Sequence, residues 1–401
     1  MNKFKASSKE YWHIVVAMFL AGLATFNALY FCQALLVTFS QIFAISPAIA
    51  SLAVSLTTGF LAFALIPASY LTPYLGKEKM MQYSLLGTTT LGFILLISPN
   101  IYTLLIIRAL QGIFIAGIPA TAMAFLADKI DHRDLPTAMG IYVAGTSIGG
   151  LTGRTVTAVA LDYVDWKVAI FITVSVIALC TVLFLYLLKQ IPAPTAQNPH
   201  ISRFNINTQM KILRQELHNR PLLLILCSGF LLMGGFVSLY NYAGYYLMQP
   251  PFKLTEKEIG LIFLCYLAGT LSSSLIGQAI KRTHRLLLIT LSTLLVAMIG
   301  ASLTSLQTLP LVILGILLFT GGFFALHTIL SYLITSVSQH KTSASSLYLL
   351  CYYAGSGLLG TLLGIVFFHY QWPGTIITIE GLYALSGLLI LCIFYHLWQK
   401  K

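Results

Sequence analysis

One arginine lies inside an apolar segment long enough to cross a membrane. Arg108 begins the run Arg108-Ala-Leu-Gln111-Gly112, about six residues into that segment and so roughly 9 Å below the membrane surface. A charge at that depth costs at least ~2.5 kcal/mol unless it faces water, a partner or a ligand. We expect the guanidinium to point inward and bind a ligand, the alternative being that it ties helices together through carbonyls. We also expect Arg108→Ala to fold normally, because the sequence shows no buried partner that it would leave unpaired.

Few other groups in the apolar segments can titrate. Of eleven Asp and Glu residues, all but Glu380 fall at helix ends, in tails or in loops. Glu380, His327 and Asp128 are candidate proton carriers, although a group bonded to neighbouring helices is the alternative for the first two. The six cysteines lack metal-ligand spacing, and neither a phosphate-binding loop nor a nucleophile and base pair occurs. We therefore expect no cofactor, no metal site and no enzyme activity.

Glycines recur at helical spacing in two segments. Gly145, Gly149 and Gly153 lie four residues apart and form a stripe without side chains, which lets a neighbouring helix approach closely and slide or rock against it. Tight packing without movement is the alternative. The second half of the chain has a related series at Gly355, Gly360 and Gly364.

Composition identifies the elements that must position these residues. The chain has 401 residues, of which 58% are hydrophobic and 8% charged, so its solvent must be lipid. Apolar runs between polar breaks predict twelve membrane helices, centred near residues 25, 58, 89, 114, 149, 177, 233, 267, 294, 322, 355 and 385. The first run is too long for a signal peptide and is kept as helix 1. The fold class expected is an all-α membrane protein.

The distribution of Lys and Arg predicts the orientation. With the N-terminus inside, the cytoplasmic tails and loops hold 18 of the 23 basic residues, so both termini are expected in the cytoplasm of a multi-pass inner-membrane protein. The net charge of +12 then reflects topology and contact with anionic lipid, and nucleic acid is not an expected partner. A monomer is expected.

The second half of the chain repeats the first at an offset of about 210 residues, as in Gly145 and Gly355 or Tyr30 and Tyr240. Two six-helix units in one bilayer are typical of a transporter. We predict a cytoplasmic tail over 1–10, an N-terminal bundle over 11–189, a linker over 190–220 and a C-terminal bundle over 221–401. Within the linker, Thr208 to Asn219 has the spacing of an interfacial helix, and a solvated coil is the alternative.

The Arg108-Ala-Leu-Gln111-Gly112 stretch resembles the helix-4 signature of the major facilitator superfamily. The likeness extends over the whole chain, as twelve helices in two halves. The run from Gly145 to Arg154 and the Leu239-Tyr240-Asn241-Tyr242 stretch are similar to the acriflavine-sensitivity, YnfM-like branch. The resemblance implies two pseudo-symmetric bundles and solute transport by alternating access. The loop between helices 2 and 3 departs from the family, because Pro73 replaces the expected aspartate. In the family, charges in this loop hold one conformation by contact with helix ends. Here this charge latch is either rebuilt from Glu78 and Asp128 or weak.

The resemblance also implies that helices 1, 4, 7 and 10 line a cavity, so their polar residues are the candidate substrate contacts. On helix 7, Ser238, Asn241, Tyr242 and Tyr245 share one face. The candidate substrate-binding residues, including one from helix 11, are Asn27, Tyr30, Gln33, Arg108, Gln111, Tyr240, Asn241, Tyr245, His327 and Tyr352. The candidate coupling or gating residues are Asp128, Gly145, Gly149, Gly153, Arg154 and Glu380.

Charge selects among the possible functions. Arg108, Arg154 and His327 make the expected cavity neutral to positive, which favours an anionic or neutral small solute over a cationic dye. The first hypothesis is a secondary transporter that exports a small organic solute, coupled to protons. The alternatives are an uptake carrier for an anionic metabolite, such as a carboxylate-type siderophore, and a transporter-like sensor that binds a ligand without moving it.

Overall fold

The computed structural model describes residues 3–191, 211, 214–282 and 285–399. In the first part of the chain the helices are α1 (Lys9–Tyr30), α2 (Leu36–Ile42), α3 (Pro47–Leu75), α4 (Lys77–Ile94), α5 (Ile101–Ile115), α6 (Gly117–Lys129), α7 (Leu135–Leu161) and α8 (Trp166–Lys189). After the linker they are α9 (Arg220–Leu247), α10 (Glu256–Ile262), α11 (Tyr266–Arg282), α12 (Leu286–Leu303), α13 (Leu309–Val337) and α14 (Lys341–Gln399). A 3₁₀ segment, Phe31–Leu35, joins α1 to α2.

Ten helical stretches of the described chain are long and apolar enough to cross a membrane. The last of them spans 56 residues, far more than the ~20 that one crossing needs, and the backbone of Gln371 breaks its helix. Each of the twelve predicted centres lies within a described helix. The all-α membrane class is therefore confirmed, while the number of crossings stays a prediction.

Local sequence fixes where several helices begin. The Ser8 hydroxyl accepts a hydrogen bond from the Tyr11 N–H at the start of α1, and Asn100 and Asp165 cap α5 and α8 in the same way. Thr255 and Glu258 form a reciprocal capping box on α10. These side chains satisfy backbone N–H groups that a helix leaves without partners at its first turn.

The contacts divide the described residues into two compact units. The first contains the residues up to Leu35 and those from Leu56 to the linker, and the second contains Leu36–Ser55 and the residues after the linker. The predicted boundaries of the tail, the two bundles and the linker stay a prediction. Within the second unit, the Tyr245 hydroxyl donates to the Leu36 carbonyl at 2.6 Å and Thr38 donates to the Glu256 carboxylate at 3.0 Å.

The predicted interfacial helix from Thr208 to Asn219 lies partly outside the described residues. Of its described part, residues 211 and 214–217 are helical. The Glu216 carboxylate is buried and accepts a hydrogen bond from the Ser338 hydroxyl at 2.8 Å. The Asn219 amide donates to the Val337 carbonyl at 2.8 Å. The end of the linker is thus bonded to the turn between α13 and α14.

Both units contain a helix pair whose backbones touch through glycine. In the first, Gly145, Gly149 and Gly153 of α7 face the backbone carbonyls of Phe19, Leu23 and Asn27 of α1, and a Cβ added to any of the three would lie within 3.0 Å of that backbone. In the second, Gly355 of α14 meets the Phe230 carbonyl of α9 in the same way. The predicted close approach is therefore present, while movement along the stripe stays a prediction.

Candidate functional site

Arg154 is a buried cation on α7, with 1% of its surface exposed. Its Nε donates to the Gln33 side-chain oxygen at 2.5 Å, and its Nη1 donates to the Gly150 carbonyl at 2.5 Å. The guanidinium carbon lies 4.0 Å from the centre of the Tyr30 ring, so the cation stacks on the ring face. Tyr30 of α1 and Gln33 of the 3₁₀ segment, both candidate substrate contacts, thus meet at the guanidinium of Arg154.

Arg108 is the second buried cation of the first unit and is fully enclosed. Its Nη1 and Nη2 donate to the carbonyls of Ala28 and Leu29, both at 2.9 Å, and its Nη1 also donates to the Gln111 side-chain oxygen. Gln111 in turn donates to the Thr88 carbonyl at 2.9 Å. These contacts agree with the alternative that Arg108 ties helices together through carbonyls. The sequence showed no such partner, because backbone acceptors carry no signal in a sequence.

The two arginines hold the end of α1 and the segment that follows it. Arg108 binds carbonyls of the last turn of α1, and its guanidinium carbon lies 4.9 Å from the Phe31 ring centre. Arg154 binds Gln33, in the middle of the 3₁₀ segment. A 3₁₀ run within a longer helical stretch has poorer hydrogen-bond geometry and often marks a hinge. No residue type or spacing in this stretch predicted the break.

Asn27 lies one turn before Tyr30 on α1 and is fully buried. Its side-chain amide donates to the Thr152 hydroxyl at 3.3 Å. Its side-chain oxygen is buried and has no hydrogen-bond partner among the described residues. A buried acceptor left in this way is costly and is commonly found where a ligand or water binds.

The predicted residues of α9 are largely enclosed by their own unit. The Tyr240 hydroxyl is 2.7 Å from the Thr320 hydroxyl, and Asn241 is buried. Tyr245 is bonded to Leu36 and lies 2.6 Å from the Ser40 hydroxyl. Tyr242 donates to the Gly360 carbonyl at 2.5 Å. Several hydroxyls of this helix are thus bonded to neighbouring segments, while substrate contact by Tyr240, Asn241 and Tyr245 stays a prediction.

His327 and Tyr352 do come together in the second unit. Their ring centres are 4.7 Å apart, and the His327 Nδ1 is 2.9 Å from the Tyr348 hydroxyl. His327 and Tyr352 are both half-buried. The imidazole is thus a hydrogen-bonded member of an aromatic cluster, as its structural alternative predicts.

Glu380 is bonded to a neighbouring helix. Its carboxylate on α14 accepts a hydrogen bond from the Ser302 hydroxyl on α12, and the residue is half-buried. This too agrees with the structural alternative.

Glu78 and Asp128, the residues from which a charge latch was expected to be rebuilt, both form ion pairs. Lys77 at the start of α4 pairs with Asp128 near the end of α6, and Lys129 pairs with Glu78 at 2.8 Å. Gly76, which precedes α4, has a φ of +83°, a conformation that glycine adopts without strain. The two acidic residues are therefore paired, while a latch that holds one conformation stays a prediction.

The N-terminal segment binds next to this latch, which the sequence did not indicate. The Phe4 N–H donates to the Lys129 carbonyl and the Asp131 N–H donates to the Phe4 carbonyl, both at 2.9 Å. The Arg133 N–H donates to the Asp131 carboxylate at 3.0 Å, which lowers the pKa of that carboxyl.

The described residues contain no group of three or more His, Cys, Asp or Glu side chains placed to bind a metal.

Long apolar helices in two units, with cations buried inside one of them, define a polytopic membrane protein built around an internal polar site. The chain belongs to the Major Facilitator Superfamily, whose sequence profile matches residues 14–360. It is therefore a secondary transporter, not an enzyme, and the resemblance seen in the sequence is confirmed.

Named relatives match nearly the whole chain. The inner membrane transport protein YnfM of Escherichia coli is 35% identical over 377 residues, which cover 93% of this chain and 88% of YnfM. The uncharacterized MFS-type transporter YybF of Bacillus subtilis is 34% identical over 377 residues, covering 94% and 92%. The crystal structure of the nucleoside transporter NupG has a TM-score of 0.80 at 12% identity, covering 96% of this chain and all of the other, and so shares the fold.

Proposed function

We propose that the protein exports a small organic anion across the cytoplasmic membrane. The observation that supports this most is the Arg154 guanidinium, buried against Tyr30 with the neutral oxygens of Gln33 and Gly150 as acceptors. A planar guanidinium binds a carboxylate through two parallel hydrogen bonds. An anionic solute would bring the counter-charge to this site.

The positions of the carboxylates support an anionic substrate. Ten of the eleven lie at helix ends, in tails or in loops, and Glu380 is bonded to Ser302 in the second unit. A permanent cation such as acriflavine would find two guanidiniums in the first unit and gain no attraction from them.

We expect organic anions to stabilise the protein more than a cation does. Citrate and benzoate should raise the melting temperature in detergent, by about 2–10 °C at saturating concentration, because a ligand that binds only the folded state stabilises it. Acriflavine at equal concentration should give less. Arg154→Gln should remove the anion shift, whereas Arg133→Gln, in an exposed loop, should keep it. A larger acriflavine shift that is lost in Glu380→Gln would instead favour a drug exporter with Glu380 as counter-charge.

Export is the direction that the membrane potential favours for an anion. An inside-negative potential contributes about 2.3 kcal/mol per charge per 100 mV, so an anion leaves the cytoplasm without a coupling ion. Uptake of the same anion would need a co-transported cation. The groups available for a proton are Glu380, His327 and Asp128, which are bonded to Ser302, Tyr348 and Lys77.

Inside-out membrane vesicles provide the test of direction. With an inside-positive potential they should accumulate labelled citrate or benzoate, and valinomycin with potassium should abolish that accumulation. Further loss with nigericin, which removes the pH gradient, would establish proton linkage. Accumulation by right-side-out vesicles that depends on the pH gradient would contradict export and support the alternative, an uptake carrier for an anionic metabolite such as a carboxylate-type siderophore.

A further inference from the structure

We propose that Gln33 is an internal substitute for the carboxylate of the substrate. In the structure the Gln33 side-chain oxygen accepts a hydrogen bond from the Arg154 guanidinium, and an anion that binds Arg154 displaces this oxygen. The inference rests on the proposed function, since it concerns how the same site responds to the anion. Its consequence is that binding releases the 3₁₀ segment that carries Gln33.

Gln33 is bound to Arg154 in the way that a carboxylate of the substrate would be. The Arg154 Nε donates to the Gln33 oxygen at 2.5 Å, and both residues are buried, at 1% and 5% exposure. An amide oxygen presents the same acceptor geometry as one carboxylate oxygen but carries no charge. A carboxylate can accept two parallel hydrogen bonds from a guanidinium and brings the opposite charge, which a neutral amide oxygen cannot do. Exchange of Gln33 for an anion is therefore favourable, while Gln33 keeps the buried cation bonded when no anion is present.

Tyr30 keeps the guanidinium in place during such an exchange. The ring lies 4.0 Å from the guanidinium carbon, and the Gly150 carbonyl holds Nη1 at 2.5 Å within α7 itself. Neither contact depends on Gln33. When Gln33 leaves, the cation remains oriented on the ring, so the site does not collapse before the anion arrives.

The position of Gln33 in the chain gives its release a consequence. α1 is fixed within the first unit by the glycine contacts to α7, and Leu36, the first residue of α2, is bonded to Tyr245 within the second unit. The five residues between them form the 3₁₀ segment, longer than such runs usually are. Gln33 ties the middle of this segment to Arg154. Its departure therefore removes one tie on the segment that joins α1 to α2.

Two substitutions separate this role from simple packing. Gln33→Met keeps the length and volume of the side chain but removes the acceptor, so citrate or benzoate should bind at least tenfold more tightly while the rate of transport falls. Gln33→Glu supplies a permanent internal anion, so both binding and transport should be lost at neutral pH. Affinity is read from melting-temperature titrations, and transport from the vesicle assay above.

The neighbouring Cys32, fully buried in the same segment, reports the state of the hinge without any added ligand. Alkylation of Cys32 by N-ethylmaleimide, followed by peptide mass spectrometry, should be at least fivefold faster in Gln33→Met than in wild type and slower in Gln33→Glu. In wild type, citrate or benzoate should speed it.

The outcomes distinguish the two proposals. If Gln33→Met binds the anions no more tightly than wild type, or if both Gln33 variants label at the wild-type rate, Gln33 is a packing residue and this inference is wrong while the anion site stands. If Arg154→Gln binds the anions as well as wild type does, the proposed function itself is wrong. Faster labelling together with tighter binding in Gln33→Met supports the inference.

Discussion

Gly149→Leu is expected to abolish transport. The backbone of Leu23 on α1 lies so close that a Cβ on Gly149 would come within 3.0 Å of its carbonyl oxygen, Cα and carbonyl carbon. Backbone atoms of a helix cannot turn aside as a flexible side chain does, so α1 and α7 must separate. Overpacking of this kind typically costs about 1–3 kcal/mol, occasionally more. Transport of the anion in vesicles should fall to background, with a lower melting temperature.

A glycine on the same helix supplies the control. Gly140 of α7 has no atom within 4 Å of the position its Cβ would take, so Gly140→Leu adds the same side chain to the same helix without a clash. It should express, melt and transport as wild type does. Gly149→Ala tests the steric reason further, because the first added carbon already meets the Leu23 backbone. Normal transport by Gly149→Leu would show that the α1 and α7 contact is not needed for function.

Features that follow from periodicity within one helix could be predicted from the sequence. The stripe Gly145, Gly149 and Gly153 lies on one face by its spacing alone, and a face without side chains implies a close neighbour. The depth of Arg108 in an apolar segment similarly implied an inward guanidinium, because lipid offers no alternative. Both conclusions depend on the helix period and the solvent, which the sequence carries directly.

Features that depend on a distant partner could not be predicted. One acceptor of Arg154 is Gln33, 121 residues away, and no local rule joins the two. The same holds for Tyr245, a candidate solute contact whose hydroxyl donates to the carbonyl of Leu36, 209 residues away. The local sequence does not distinguish a tyrosine that faces a cavity from one that bonds to a backbone carbonyl. Every residue has such a carbonyl, so the sequence does not mark which one accepts the hydroxyl.

The latch shows an intermediate case. Glu78 and Asp128 were singled out by charge, yet their partners depend on how α4 meets α6. Opposite charges are adjacent in the sequence at Lys77 and Glu78 and again at Asp128 and Lys129. In the structure each residue pairs with one on the other helix, Lys77 with Asp128 and Glu78 with Lys129. The sequence therefore supplied the charges but not the pairing, which is a property of the packed helices.

Arg108→Ala is expected to destabilise the folded protein strongly, contrary to the expectation from the sequence. The substitution removes the donors to the Ala28 and Leu29 carbonyls and to Gln111, and it leaves a void where a large side chain was fully enclosed. Each buried acceptor left unsatisfied costs about 1–3 kcal/mol. A loss of about 3–5 kcal/mol corresponds to a melting temperature lower by roughly 10 °C, with reduced yield of folded protein in detergent.

Arg108→Lys should recover only part of this loss, because one ammonium cannot reproduce two parallel bonds from a planar group to adjacent carbonyls. Arg133→Ala, which removes an arginine from an exposed loop, should change the free energy of unfolding by no more than about 0.5 kcal/mol. The comparison separates the two roles considered for Arg108. If it were chiefly a substrate contact, Arg108→Ala would melt as wild type does while losing the anion-induced shift. A large fall in melting temperature without ligand, in Arg108→Ala but not in Arg133→Ala, instead identifies Arg108 as the residue that holds the end of α1.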